Sequence, residues 1–387
     1  MLTDSRAARP APAAAAAPAA ARDPFFDRAR LLATVLVVCG HFWEPLARMP
    51  GHRVLHAAYL LVYAFHMPVF VFLSGWFSRS FAARPEQLDR LLGGVLAPYL
   101  LWTTLLGWYS ARLAGAPFAP DLITPVWVTW FLLSLFLWRL SAPLWHRLRA
   151  PLATAVAVSL LAGALPLTPQ LSIGRTLQLL PFFVAGLVLD RRRVLALRGH
   201  RWLRAAALPV FGAAALLAYW LVLRLDAAWF YRSAGAAGLH AGLPRWLVLS
   251  AAVNLAGAVL GACFLALVPV RARWYDGLGA TGTAAFLLHP FAQLALVRAG
   301  GYRTAFLGSA AGQAVLTAAA CALALLLSTR PVARLLRPLL APRLRLLLRA
   351  RQPSPAPAPA PAPTMIPGNC RPPGPDDGRR GGRNTGG

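Results

Sequence analysis

The sequence predicts an all-α polytopic membrane protein, and three observations carry that reading. Of its 387 residues 58% are hydrophobic, with a mean hydropathy of +0.56, above the roughly 45–50% apolar content of soluble domains. Several apolar runs reach the roughly 20 residues that cross a bilayer. Positive charge, all of it arginine, is concentrated in alternate loops between those runs, as orientation in a membrane requires.

Ten candidate helices follow in order: 30–48, 54–77, 91–113, 126–144, 151–166, 174–190, 203–224, 246–269, 278–297 and 305–328. The fifth and sixth are short. Loop charges test the count. The loop after the second stretch holds Arg79, Arg84 and Arg90, and the loop after the fourth holds Arg147 and Arg149. The loop after the sixth holds Arg191, Arg192, Arg193, Arg198, Arg201 and Arg204; the loop after the eighth holds Arg271 and Arg273. The intervening loops are poorer in arginine. The asymmetry predicts about ten spans with both termini cytoplasmic. Residues 1–22, rich in Ala and Pro, and 351–387, rich in Pro, Ala and Gly, read as disordered tails flanking a membrane domain over 23–350. The first apolar run starts too late, and lacks the cleavage pattern, for a secretory signal peptide.

The net charge of +27 invites a nucleic-acid reading. Arginines confined to loops and tails answer to membrane topology instead, so no nucleic-acid partner is expected. The four cysteines, Cys39, Cys263, Cys321 and Cys370, lack metal or disulfide spacing. Trp102, Trp108, Trp127, Trp130 and Trp138 fall near predicted helix ends, where interfacial aromatics gather. Gly75, Gly186 and Gly279 are expected to let helices approach closely.

Chemistry centres on the first run, Arg30-Leu-Leu-Ala-Thr-Val-Leu-Val-Val-Cys-Gly-His41. Ionisable groups inside membrane helices mark function by default. Glu44, one of two glutamates in the chain, shares a helical face with His41 at i, i+3. His66 and His289 also fall inside predicted helices. Each of the three histidines lies 11 residues from its assigned cytoplasmic end, about 16 Å deep at 1.5 Å per residue, so one cavity can hold them all. As alternatives, His66 and His289 serve as interhelical hydrogen-bonding groups, or His41 and Glu44 form part of a metal site, although no further ligand pattern accompanies them. A transporter with a buried histidine proton relay is the competing reading; against it stand the scarcity of buried acids and the lack of an internal repeat.

Several blocks resemble the bacterial type-3 membrane acyltransferases, in particular the branch similar to fucose acetylases. These are Asp27-Arg-Ala-Arg30 with Leu36-Val-Val-Cys-Gly-His41, and Ala64-Phe-His-Met-Pro-Val-Phe-Val-Phe-Leu-Ser-Gly75. Ala97-Pro-Tyr-Leu-Leu-Trp102, Trp130-Phe-Leu-Leu-Ser-Leu-Phe136, Leu180-Pro-Phe-Phe-Val-Ala-Gly186 and Ala285-Phe-Leu-Leu-His289 follow in the family's order, together spanning roughly 23–328. The resemblance implies transfer of an acyl group, often acetyl from acetyl-CoA, to a hydroxyl of a sugar, polysaccharide or glycosylated small molecule. It places the protein in a bacterial cell membrane, with acyl-CoA as donor substrate and no bound cofactor or metal. It implies that His41 is the central catalytic residue and Arg30 its functional partner.

With the resemblance, Glu44 is expected to orient His41, and Arg30, Arg90, His66, Trp130 and His289 to bind acyl-CoA or support the site. The family often places two close arginines before the third helix. Here Arg90 stands alone, with Gly93 and Gly94 after it, so Arg84 is a candidate substitute. The membrane domain itself is expected to meet the acceptor. Histidine suits the abstraction of a hydroxyl proton during attack on a thioester, and guanidinium suits the phosphates of CoA. Whether His41 acts as base or carries a transient acyl group stays open.

Overall fold

The computed structural model describes residues 23–197, 200–271 and 274–342. Both sequence-predicted tails, 1–22 and 351–387, lie outside the described residues. Among the described residues every regular element is helical. The principal helices are α1 (Pro24–Ala47), α2 (Arg53–Trp76), α3 (Pro85–Ala114), α4 (Trp127–Trp145), α5 (Pro151–Ala164), α6 (Gln170–Gln178), α7 (Leu180–Val188), α8 (Arg201–Leu221), α9 (Leu243–Leu267), α10 (Thr283–Arg298) and α11 (Ala310–Leu327).

Helix occurs at each of the ten expected positions, but the count of spans is revised. Among the described residues seven helices are long and apolar enough to cross a membrane: α1, α2, α3, α4, α8, α9 and α11. The pair α6–α7, bent by 59°, makes an eighth if it is one broken span. The bend lies at Leu179, where Pro181, whose missing N–H ends the ladder, opens the second helix. α5 is only 14 residues long and α10 only 16.

Two starting points are also corrected. α1 begins at Pro24, because Asp23 caps it (Oδ1 accepts from the Phe25 N–H at 3.1 Å) and proline suits the first turn. Arg30 therefore sits in the second turn rather than opening the helix. α3 begins at Pro85 and carries a π-helical stretch at Leu92–Leu96, so Arg90 lies inside it.

α2 is apolar on every side and is accordingly central, packed by α1, α7, α8 and α9. α8, α9 and α11 present mostly exposed apolar side chains, the surface a bilayer would cover. Where α2 crosses α7 the backbones touch. A Cβ on Gly75 would lie 2.0 Å from the Phe183 carbonyl oxygen, and one on Gly186 would lie 2.0 Å from that of Phe72. Gly279 is pressed against Asp27 in the same way, at 1.8 Å. Gly75→Val is expected to cost about 1–3 kcal/mol or more, because the helices must separate. Gly212→Ala, whose methyl would meet open space, is expected to be neutral or slightly stabilising. Melting of the detergent-purified variants checks both, and an unchanged Gly75→Val transition would contradict the crossing.

Trp102 and Trp138 are 3% and 1% exposed, so they are core residues rather than interfacial ones. Their indole N–H groups donate to the carbonyls of Leu339 and Thr176. Arg28, beside the motif arginine, is structural. Its Nε and Nη2 donate to the Asp276 carboxylate at 2.6 and 2.8 Å, and its Nη1 to the carbonyls of Pro269 and Val270.

Candidate active site

The three helix histidines come together where α1, α2 and α10 meet. The His41 and His289 rings are 5.2 Å apart between centroids, and Tyr63 links His41 (6.4 Å) to His66 (4.6 Å). His41 is the eighteenth residue of the 24-residue α1, so it lies nearer the far end of the helix than the sequence depth implied. Nδ1 of His66 bonds to the Val62 carbonyl at 2.7 Å, and Nδ1 of His289 to that of Ala285 at 2.9 Å. Each contact assigns the proton to Nδ1 and leaves Nε2 as an acceptor. Nε2 of His289 is buried without a hydrogen-bond partner. Each histidine is followed within four residues by a proline in the same helix, Pro45, Pro68 and Pro290. Each proline removes one ladder bond beside the site.

His41 and His66 line a cavity of about 520 Å³ with Glu44, Arg48, Tyr63, Trp127, Trp130, Arg175, Tyr231 and Gln293. Nδ1 of His41 is 3.7 Å from Oε2 of Glu44. That is ion-pair range but too long for a hydrogen bond, and the Nδ1 atom has no hydrogen-bond partner. The other Glu44 oxygen accepts from Nη2 of Arg48 at 2.6 Å. Glu44 thus stands between the Arg48 guanidinium and the His41 ring.

His289 abuts His41 but does not line this cavity. Trp127 packs 5.9 Å from the His41 ring and holds φ at +53°, a strained conformation for a bulky residue and one found at functional sites. Tyr302 donates to the Phe42 carbonyl at 3.0 Å, and the Tyr59 and Tyr231 hydroxyls meet at 2.8 Å. These bonds hold the end of α1 and the cavity wall.

A second cavity of about 340 Å³ lies at the opposite end of the helices. It is lined by Asp27, Arg30 and Thr34 at the start of α1, by Phe70 to Phe77 at the end of α2, and by Gly94 and Pro98 of α3. Arg139 of α4 and Phe286 of α10 complete its walls. This end adjoins the arginine-rich loop 77–84. Phe70, Phe131 and Phe286 all line this cavity, their ring centroids 5.1 to 5.9 Å apart. Phe286 in turn lies 6.3 Å from His289.

Arg30 bonds to Asp27 at 3.3 Å and faces the Phe77 ring. Arg90 does not reach this cavity. It is exposed, and its Nε donates to the Glu86 carbonyl of its own turn. Arg84 is exposed as well. In their place the fold brings up Arg139, whose Nε donates to Ser78 at 3.1 Å.

Arg139, Arg175, Trp127 and Gln293 are among the cavity residues that sequence reasoning missed. Trp127 and Gln293 are ordinary residues in apolar stretches, but Arg139 and Arg175 are ionisable groups inside predicted helices, a signal that was present. For Trp127 the proline-valine turn before it was the nearest available signal.

Long apolar helices around two cavities, one of them lined by a histidine–carboxylate face, define a multi-pass membrane protein with a candidate site inside the helix bundle. Residues 23–329 match the acyltransferase domain of acyltransferase family 3, and the chain belongs to that family. It is therefore an acyltransferase. No curated protein and no solved structure matches it.

Proposed function

We propose that the protein moves an acyl group, specifically acetyl, from acyl-CoA in the second cavity to a hydroxyl of a carbohydrate or glycosylated acceptor in the His41 cavity, within the cytoplasmic membrane of a bacterium. The observation that carries this reading is the position of His41 in the wall of one cavity, with the other opening at the opposite ends of the same helices. The second cavity has room for a thioester arm, with Arg30 and Arg139 placed for the phosphates of CoA. The tryptophan and tyrosine rings of the first cavity suit the apolar faces of a sugar, and its polar groups suit hydroxyls.

In the step itself, His41 takes the proton as the acceptor oxygen attacks the thioester carbonyl. The C–O bond forms, the C–S bond breaks, and the proton passes to the departing thiolate. Glu44 orients the ring and stabilises imidazolium. The family assignment sets the proton-relay transporter aside.

Purified protein in liposomes is expected to release CoA from acetyl-CoA only when a glycoside acceptor is present and to leave an acylated glycoside detectable by mass spectrometry. Release of CoA without an acylated product would count against the carbohydrate acceptor.

The proposed topology keeps both termini cytoplasmic and reaches ten spans by counting α5, the α6–α7 pair and α10, with 23–350 as the working domain and both tails dispensable. Reporters in the 191–204 loop and at residue 387 should then read inside, and one near Arg112 outside. An outside reading at residue 387 would remove this topology.

A further inference from the structure

Arg175 lies in α6, and it and Arg48 are the arginines in the wall of the His41 cavity. Arg28 is answered by Asp276 and two carbonyls. Arg232 reaches Asn254 at 2.8 Å and the Gln178 carbonyl at 3.5 Å, with its Nε and Nη1 buried without a partner, and it does not line the cavity. Arg175 uses Nε to reach the Tyr231 carbonyl at 3.3 Å and lays its face over the Trp130 ring at 5.0 Å. Its terminal nitrogens have no hydrogen-bond partner among the described residues, and none of the described carboxylates lies within ion-pair distance of them. The side chain is only partly covered, and it lines the cavity.

The one carboxylate of this cavity, Glu44, is committed to Arg48 and His41. With neutral histidines the lining therefore carries two guanidinium charges against one carboxylate. In the same lining, Oε1 of Gln293 is buried without a hydrogen-bond partner, an acceptor left for an incoming hydroxyl.

A cation held inside a membrane protein without a counter-charge is costly. A planar guanidinium locked by an aromatic face and one backbone carbonyl is already oriented for a two-oxygen anion. We propose that the acceptor is an anionic glycoside, carrying a carboxylate or phosphate that pairs with the terminal nitrogens of Arg175. Gln293 accepts from a neighbouring sugar hydroxyl, and a second hydroxyl is presented to His41. The proposal rests on the reading that this cavity receives the acceptor, and it makes Arg175 the residue that sets acceptor specificity.

The test needs no acyl donor. Thermal stabilisation of the purified full-length protein is measured with three probes: 4-nitrophenyl β-D-glucuronide, glucose 1-phosphate and 4-nitrophenyl β-D-glucoside. At least one acidic probe should bind about tenfold or more tightly than the neutral glucoside, the discrimination expected of a charge-assisted pair. Preference for the glucuronide alone assigns a uronic acid, preference for the phosphate alone a phosphosugar, and preference for both a site that reads charge only. Arg175→Gln should bring the acidic probes down to the neutral level, with Arg175→Lys intermediate.

Equal binding of acidic and neutral probes by the wild-type protein would overturn the proposal without any variant. So would an Arg175→Gln protein that keeps the acidic preference. CoA release from acetyl-CoA, assayed separately on wild-type and His41→Gln protein, reports on the catalytic reading. The probes can therefore fail while that reading stands, and that reading can fail while the probes succeed.

Discussion

His41→Gln protein, purified and folded, is expected to lose acyl transfer by about 10²–10⁴-fold, the contribution of a positioned general base. Glutamine keeps much of the bulk and the hydrogen bonding of the ring but cannot take a proton. The membrane packing supports a clean reading of this variant: His41 is partly open to the cavity, and its Nδ1 makes no hydrogen bond. Little structure is lost with the ring, and the melting temperature should barely move.

His41→Ala should be equally inactive. Glu44→Gln should retain transfer at about a tenth of the wild-type rate, roughly 1.4 kcal/mol, because the carboxylate stands 3.7 Å from Nδ1 and its charge matters more than its hydrogen bond. Gln at 289 tests the neighbouring ring differently. That histidine is fully buried and bonded to Ala285, so its loss should lower stability along with rate. Near wild-type turnover by folded His41→Gln protein would return α1 to the scaffold.

Arg139→Ala should raise the KM for acyl-CoA about tenfold or more while changing kcat less, the pattern of lost ground-state binding. A guanidinium–phosphate contact is worth about 1.5–3 kcal/mol, and each 1.36 kcal/mol is a factor of about ten. Arg90→Ala should leave KM within about twofold, since that side chain is exposed and bonds to its own helical turn. Steady-state kinetics in detergent over a range of acyl-CoA concentrations separates the two. A large KM effect at Arg90 with none at Arg139 would move the donor away from the second cavity.

The contrast between these arginines shows where sequence reading stops. Arg90 attracted attention because it precedes the proline-tyrosine of the third helix, a relation along one chain segment. Arg139 reaches the second cavity because α4 runs back against the end of α2, where Ser78 holds its Nε. No spacing encodes that approach. The same holds for Arg175, which enters the His41 cavity through the bent α6–α7 pair, the segment whose short length made it hard to place. Trp102 and Trp138 read as interfacial by position, yet they are buried because short helices fold over their ends and offer carbonyls to their N–H groups.

What the sequence determined by itself is local or periodic. Apolar runs demand helices, since only internal bonding satisfies a backbone in lipid. A histidine and a glutamate at i, i+3 share a face whatever surrounds them. Glycines on that scaffold mark close crossings, as Gly75 and Gly186 do. The tertiary structure alone decided which distant groups share a cavity: His289 against His41, Arg139 beside Arg30, and Arg175 over Trp130. Side-chain neighbours across helices depend on crossing angles, bends and helix starts. Those are set by packing among all the helices together, which the pattern of any one helix does not contain.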